Sequence, residues 1–124
     1  MYEPFWRACE AGQLVFPHCS ACGRYLPYAR SVCSQCGRET LSWLPVSGRG
    51  RVYSYTVIHR APHPEFRPYV PYVLALIELD EGVRMVSWVV DCRVEEVRVE
   101  IPVRVVFRQI AHRAAVPCFA PVHG

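Results

Sequence analysis

The chain has 124 residues, 52% of them hydrophobic, with a mean hydropathy of +0.08 and a formal charge of +3. That is enough for one compact domain with a small appendage. It excludes a disordered chain and a membrane-spanning one, since no run approaches the ~20 apolar residues a span needs.

The start, Met1-Tyr2-Glu3-Pro4-Phe5-Trp6-Arg7, lacks the basic segment and apolar stretch of a secretion signal. Seven cysteines without such a signal fit a reducing cytoplasm and a metal site better than a disulfide framework. Residues 4–11 read as a short helix. Pro4 suits its first turn, Phe5 and Cys9 share one face, and Gly12 offers a stop. Trp6 is expected to pack this helix onto the body. Leu14-Val15-Phe16 then reads as a short strand.

Next come two Cys-x-x-Cys pairs, Cys19/Cys22 and Cys33/Cys36, each followed by a glycine, Gly23 and Gly37. Four thiolates at this spacing can close a tetrahedron around one zinc ion, two from each turn. A residue without Cβ after the second cysteine accepts positive φ while backbone N–H groups approach the sulfurs. Two disulfides or chance pairs are the bland alternative. A site with four protein ligands has no vacancy for water or substrate, so this ribbon is expected to be structural, with iron as the competing occupant. Metal binding of this kind supplies on the order of 10–16 kcal/mol, enough to fold a segment with almost no core. With the site loaded, the thiolates and the cation bring the net charge to about +1.

From Trp43 the pattern becomes β-rich. Ser47-Gly48-Arg49-Gly50 reads as a turn, and residues 51–60 alternate, with Val52, Ser54, Thr56 and Ile58 on one face and Tyr53, Tyr55 and Val57 on the other. Residues 61–71 form a proline-rich loop. Residues 72–79 and 83–90 are strands joined by Asp80-Glu81-Gly82. Residues 91–100 are a short helix or turn, 103–110 a fourth strand and 116–122 a frayed fifth. Five strands with a connecting segment between the third and fourth match the five-stranded Greek-key barrel of the OB-fold, with an SH3-like barrel as the alternative.

The motifs Phe5-Trp6-Arg7-Ala8, Gly12-Gln13-Leu14, the two cysteine knuckles and Val46-Ser47-Gly48-Arg49-Gly50-Arg51-Val52-Tyr53-Ser54-Tyr55-Thr56-Val57 resemble the acyl-CoA-associated zinc-ribbon/OB-fold family, domain of unknown function thirty-five. His63-Pro64-Glu65-Phe66, Pro71-Tyr72-Val73, Glu78-Leu79-Asp80-Glu81-Gly82-Val83-Arg84 and Ile101-Pro102-Val103 extend the likeness over nearly the whole chain. The resemblance implies a mainly β protein: a helical arm (1–13), a rubredoxin-like zinc ribbon (14–42) and an OB-fold barrel (43–124). Members are usually small partners of thiolases or related acyl-CoA enzymes, some holding two such enzymes together, and generally do not carry the nucleophile. Cys19, Cys22, Cys33 and Cys36 match the family's zinc ligands. Relatives often carry a proline after the Cys92 position, which here is Arg93. From the short tail, no second functional domain is expected.

Catalysis by this chain alone is not expected. A thiolase needs a nucleophilic cysteine, an acid/base partner and a histidine in a deep pocket. Outside the ribbon stand only Cys9, Cys92 and Cys118, each readable as a small buried hydrophobe. His59 and His63 lie four apart, but Pro62 and Pro64 forbid the helix that would make them a metal pair. The loop instead offers His59, Arg60, His63, Phe66, Arg67, Tyr69 and Tyr72. Its four prolines reduce the entropy lost on docking, and Tyr and Arg dominate interface hot spots. It admits three readings: contact with a partner enzyme, contact with the phosphates of a coenzyme A thioester shared with that partner, or a plain cap on the barrel. A single-strand nucleic-acid binder stacking bases on Tyr53, Tyr55 and Trp88 is the alternative function. The near-neutral loaded charge and the absence of lysine argue against it. The leading expectation is a zinc-binding accessory subunit of a thiolase-type acyl-CoA complex.

Overall fold

The structure is a computed structural model and describes residues 3–26 and 41–122. An N-terminal helix α1 (Glu3–Glu10) leads into β1 (Val15–Cys19), which pairs antiparallel with β2 (Leu41–Pro45). Gly12, with φ of 77°, ends the helical arm as the sequence suggests. The apolar face of α1 buries Cys9 and sets Phe5 edge-on to Phe16 at 6.4 Å, with Trp43 6.3 Å away. Trp6 is clamped from the other side, the Arg113 guanidinium standing 4.1 Å above its ring. The β1–β2 ladder runs from Cys19↔Leu41 to Val15↔Pro45, and beyond it the Val46 N–H donates to the Leu14 carbonyl at 2.9 Å.

The barrel closes in the order β3 (Arg49–Ile58), β4 (Tyr72–Leu79), β5 (Arg84–Val89), β7 (Arg113–Pro121), β6 (Pro102–Ile110). A 3₁₀ turn, Val94–Glu96, links the third and fourth barrel strands. Mainly β, with a short helix, a ribbon region and a five-stranded closed barrel, this is the architecture expected from the sequence. Inside it Val52, Val73, Ala75, Ile77, Leu79, Val89, Val97, Val103 and Phe119 form one buried cluster, joined by Leu14 and Phe16 from the ribbon side. The strict alternation in β4 produces this: Val73, Ala75, Ile77 and Leu79 point in, while Tyr72, Leu74, Leu76 and Glu78 point out.

Strand β3 departs from the expected alternation. A β-bulge between Val52 and Ser54 puts Val52 opposite Ile77 but Tyr55 opposite Ala75 and Val57 opposite Val73. Residues directly opposite one another share a face, so the core side passes from Val52 to Val57, which packs against the cluster, while Tyr55 shares that face but stays 37% exposed and Ser54 and Thr56 lie on the other. One extra residue moves every following side chain to the other face. The start of β3 is equally tight. Gly48 has φ of 77°, and a Cβ there would lie 2.4 Å from Val105 Cγ1. Its carbonyl accepts the Val105 N–H at 2.7 Å. The last strand is not frayed: β7 runs nine residues, starting at Arg113, because pairing with β6 extends through Arg108↔Val116 to Ile110↔Arg113.

Candidate functional site

Two places concentrate chemistry. The first is the cysteine knuckle at the end of β1. Cys19 is fully buried, donates its N–H to the Arg24 carbonyl at 2.9 Å, and accepts the Gly23 N–H on its own carbonyl at 2.8 Å. Gly23 takes φ of 75°, which folds the chain so that Cys22 follows Cys19 around one tight turn. An antiparallel bridge His18↔Tyr25 and the Leu26 N–H to Pro17 carbonyl bond, 2.8 Å, fix the exit. Two thiols presented by a turn of this type suit a tetrahedral zinc ion, and Cys19 and Cys22 are the two of the four expected ligands that fall among the described residues. Cys33 and Cys36, the other expected ligands, lie outside the described residues.

The second is a cleft of about 420 Å³ on the outer surface of the barrel, where β5 meets β7. Leu74, Met85, Val86 and Trp88 form one wall, Val116, Pro117 and Cys118 another, and Phe5 and Trp6 of α1 a third. Its mouth is charged: His112 Nδ1 stands 3.7 Å from a Glu65 carboxylate oxygen, bringing the β6–β7 hairpin up to the 61–71 connection. In OB-folds the second and third strands and the loops after the first and fourth form the binding face. Here those parts are β4, β5, the 61–71 connection and the Ala111–His112 tip, and the cleft lies among them.

The seven loop residues singled out from sequence divide into two groups. The connection contains a 3₁₀ turn, Pro64–Tyr69, with Pro64 at its start and Pro68 inside. Phe66, Tyr69 and Tyr72 converge on Trp88, with ring centroids 5.7, 5.5 and 4.0 Å away, the last stacked. The Tyr69 hydroxyl also accepts the Ala111 N–H at 3.0 Å, tying the two loops together. His59, Arg60, His63 and Arg67 remain exposed. Of the rings considered as base-stacking platforms, Trp88 is occupied by Tyr72, and the Arg84 guanidinium covers Tyr53 at 3.9 Å. Sequence reasoning did not find Val86, Val116 and the α1 face as cleft walls. They come together only through the order in which the barrel closes.

The thiols outside the ribbon are held protonated. Burial pushes Cys9 and Cys118 each up to about 11 from the ordinary 9.0, and burial first, with Glu96 and Asp91 adding, raises Cys92. Cys118 lines the cleft but is fully buried, the setting of an inert thiol. The linkage has a definite sign. Unfolded thiols ionise near 9 and the folded ones only near 11, so their stabilisation is complete below pH 9 and is lost as pH climbs to about 11. The thermal midpoint is therefore expected to fall between pH 9 and 11. Cys118→Ala should flatten that fall in a series of melts; an equally steep fall in the variant would remove the thiol from the account.

Comparison with known proteins agrees with this architecture. A family model described as the rubredoxin-like zinc ribbon domain of ChsH2 matches residues 6–42, and one described as the C-terminal OB-fold domain of ChsH2 matches residues 43–108. A DUF35 domain-containing scaffold protein of Methanocaldococcus jannaschii is 41% identical over 98 residues, 78% of this chain and 69% of that protein. A probable enoyl-CoA hydratase alpha subunit of Thermomonospora curvata is 34% identical over 118 residues, 94% of this chain but 36% of the longer relative. Among solved structures, a chain of the Ltp2-ChsH2(DUF35) aldolase superposes with a TM-score of 0.85 at 32% identity, covering 97% of this chain and 93% of that one. With a zinc-ribbon model and an OB-fold model matched in succession over residues 6–108 and the fold to carry them, this chain belongs to the DUF35 family of ChsH2-type zinc-ribbon/OB-fold proteins.

Proposed function

We propose that the chain is the zinc-binding accessory subunit of an acyl-CoA-metabolising complex of thiolase type, docking against and stabilising the subunit that carries the nucleophile. The observation that carries this reading is the likeness of 97% of this chain, at a TM-score of 0.85 and 32% identity, to a chain of the Ltp2-ChsH2(DUF35) aldolase. The scaffold-protein and hydratase-subunit names of two further relatives point the same way. Zinc held by Cys19, Cys22, Cys33 and Cys36 keeps the ribbon rigid, so its docking surface is formed before the partner arrives. Coenzyme A thioester is bound chiefly by the partner and shared at the interface, where the exposed Arg60 and Arg67 are suited to its phosphates. The buried, protonated state of Cys9 and Cys118 supports leaving the nucleophile to the partner.

The test is co-expression with a thiolase-type acyl-CoA enzyme from the same source. A hetero-oligomer stable to gel filtration at micromolar concentration is expected, and the chain alone should perform no carbon–carbon bond chemistry on acyl-CoA thioesters. Clean separation of the two proteins, or turnover by the isolated chain, would sink the proposal. Tight oligonucleotide binding that falls steeply with added salt would favour the nucleic-acid alternative instead.

A further inference from the structure

The barrel is closed, but its last seam is short. β5 and β7 run parallel and share one register pair, Val89↔Phe119, with the Val90 N–H donated to the Phe119 carbonyl at 2.8 Å. Two residues earlier β7 has Pro117, which has no N–H to give. Its carbonyl is taken by the Ser87 hydroxyl at 2.8 Å instead. Beyond that point the strands part, and the cleft opens between them.

Strand alternation then identifies what the opening exposes. The Leu79 N–H donates to the Val83 carbonyl at 2.8 Å, so the backbone groups of Val83, Met85, Ser87 and Val89 face β4. The N–H and C=O of Arg84 and Val86 therefore point the other way, into the seam, where no strand among the described residues pairs with them. Natural sheets blunt such edges with charge, proline or a covering element. This one is not blunted at its centre: Val86 is 64% exposed, the highest value among the large hydrophobic side chains described. The unpaired edge, residues 84–87, is about 13 Å long at ~3.3 Å per residue.

We infer that β5 is a docking edge, and that an extended apolar segment of the partner subunit adds to it as a further strand, placing a side chain in the adjacent cleft. An extended backbone is the occupant that satisfies a row of alternating donors and acceptors, and this mode of recognition draws affinity from the main chain and specificity from neighbouring pockets. The charges at the mouth select the segment's flank. Glu65 is taken by His112 and Arg84 by Glu78, whereas Arg113, at the rim over Trp6, has no acidic partner among the described residues. The segment therefore carries an acidic residue or a terminal carboxylate beside its apolar stretch. This inference rests on the accessory-subunit reading above and specifies its contact.

The experiment is hydrogen–deuterium exchange of the full chain, free and in complex with the co-expressed acyl-CoA enzyme, together with Val86→Pro and Arg113→Glu. Proline removes the seam-facing N–H and takes no donor from the β4 side of the ladder, and because its ring also fixes φ, circular dichroism verifies that each variant folds. The Arg84 and Val86 amides should exchange rapidly in the free chain and become protected in the complex. Val86→Pro should weaken association by about tenfold, the scale of one or two lost backbone bonds, and Arg113→Glu should weaken it in a salt-dependent way. A complex that forms with these amides unprotected and with Val86→Pro bound as tightly overturns the edge inference while leaving the accessory role intact. Absence of any complex overturns both. Protection in the free chain accompanied by a dimer in light scattering assigns the edge to a second copy and overturns the partner segment.

Discussion

Replacing Cys19 by serine is expected to strip the metal from the chain and unfold the ribbon while leaving the barrel folded. Cys19 is fully buried, its backbone is held on both sides by the Arg24 carbonyl and the Gly23 N–H, and its side chain packs with Leu26 and Leu41 in a cluster separate from the barrel core. That cluster is too small to hold a fold. Two or three buried aliphatic side chains supply about 1.5–3 kcal/mol each, while ordering costs about 1–2 kcal/mol per residue of backbone. A structural zinc site, worth on the order of 10–16 kcal/mol, reverses that balance. Serine offers a poor ligand whose hydroxyl stays protonated, so the remaining thiolates cannot complete a tetrahedron. Elemental analysis should find stoichiometric zinc in the parent chain and a small remnant in the variant. In NMR spectra, β1 and β2 amides should collapse towards random-coil positions while those of β3 to β7 stay dispersed. A variant that retains both its metal and its ribbon would show that the four-sulfur assignment is wrong.

Much of this fold was legible in the sequence because its elements are set by local rules. The alternation of β4 survives intact into the structure, and the Asp80-Glu81-Gly82 turn sits where a short hairpin demands it. The helical arm was readable from Pro4, the Phe5/Cys9 spacing and Gly12. What escaped reading depends on partners distant in the chain. The bulge in β3 follows from the way Val52 and Tyr55 are matched to β4, and nothing in residues 51–58 alone announces an extra residue. The first turn of β7, Arg113-Ala114-Ala115, has weak β propensity and becomes a strand because β6 offers it a ladder. The loop aromatics were recognised as notable, but that Trp88 gathers Phe66, Tyr69 and Tyr72 could not be seen from spacing, since β5 lies beyond a whole strand and a turn. The cleft was the least legible feature. Its walls come from α1, β4, β5 and β7, and only the closing order of the barrel assembles them.

Phe119→Ala is expected to be the most damaging single change in the barrel, lowering stability by about 3–5 kcal/mol. Phe119 is wholly buried and stands at the one register pair between β5 and β7, opposite Val89 on one side and Val105 on the other. It belongs to the same buried cluster as Val52, Val73, Ile77 and Val103. Truncation to alanine removes transfer free energy and also leaves a cavity at the barrel's weakest joint, where Pro117 already denies a backbone bond. Small domains have only about 5–15 kcal/mol in total, so the loss consumes a large share of it. Two controls separate seam from bulk core. Val52→Ala removes a fully buried side chain of β3, away from the seam, and should cost less, because Val52 pairs with Ile77 on one side and is bonded through its backbone to Ile101 and Glu100 on the other. Ser87→Ala removes the hydroxyl that satisfies the Pro117 carbonyl and should cost about 1–3 kcal/mol, the penalty of an orphaned buried acceptor. Urea unfolding followed by tryptophan fluorescence ranks the three directly. Should Phe119→Ala prove no worse than Val52→Ala, the single β5–β7 contact is not what limits closure of the barrel, and the open seam loses its special standing as the yielding edge of the fold.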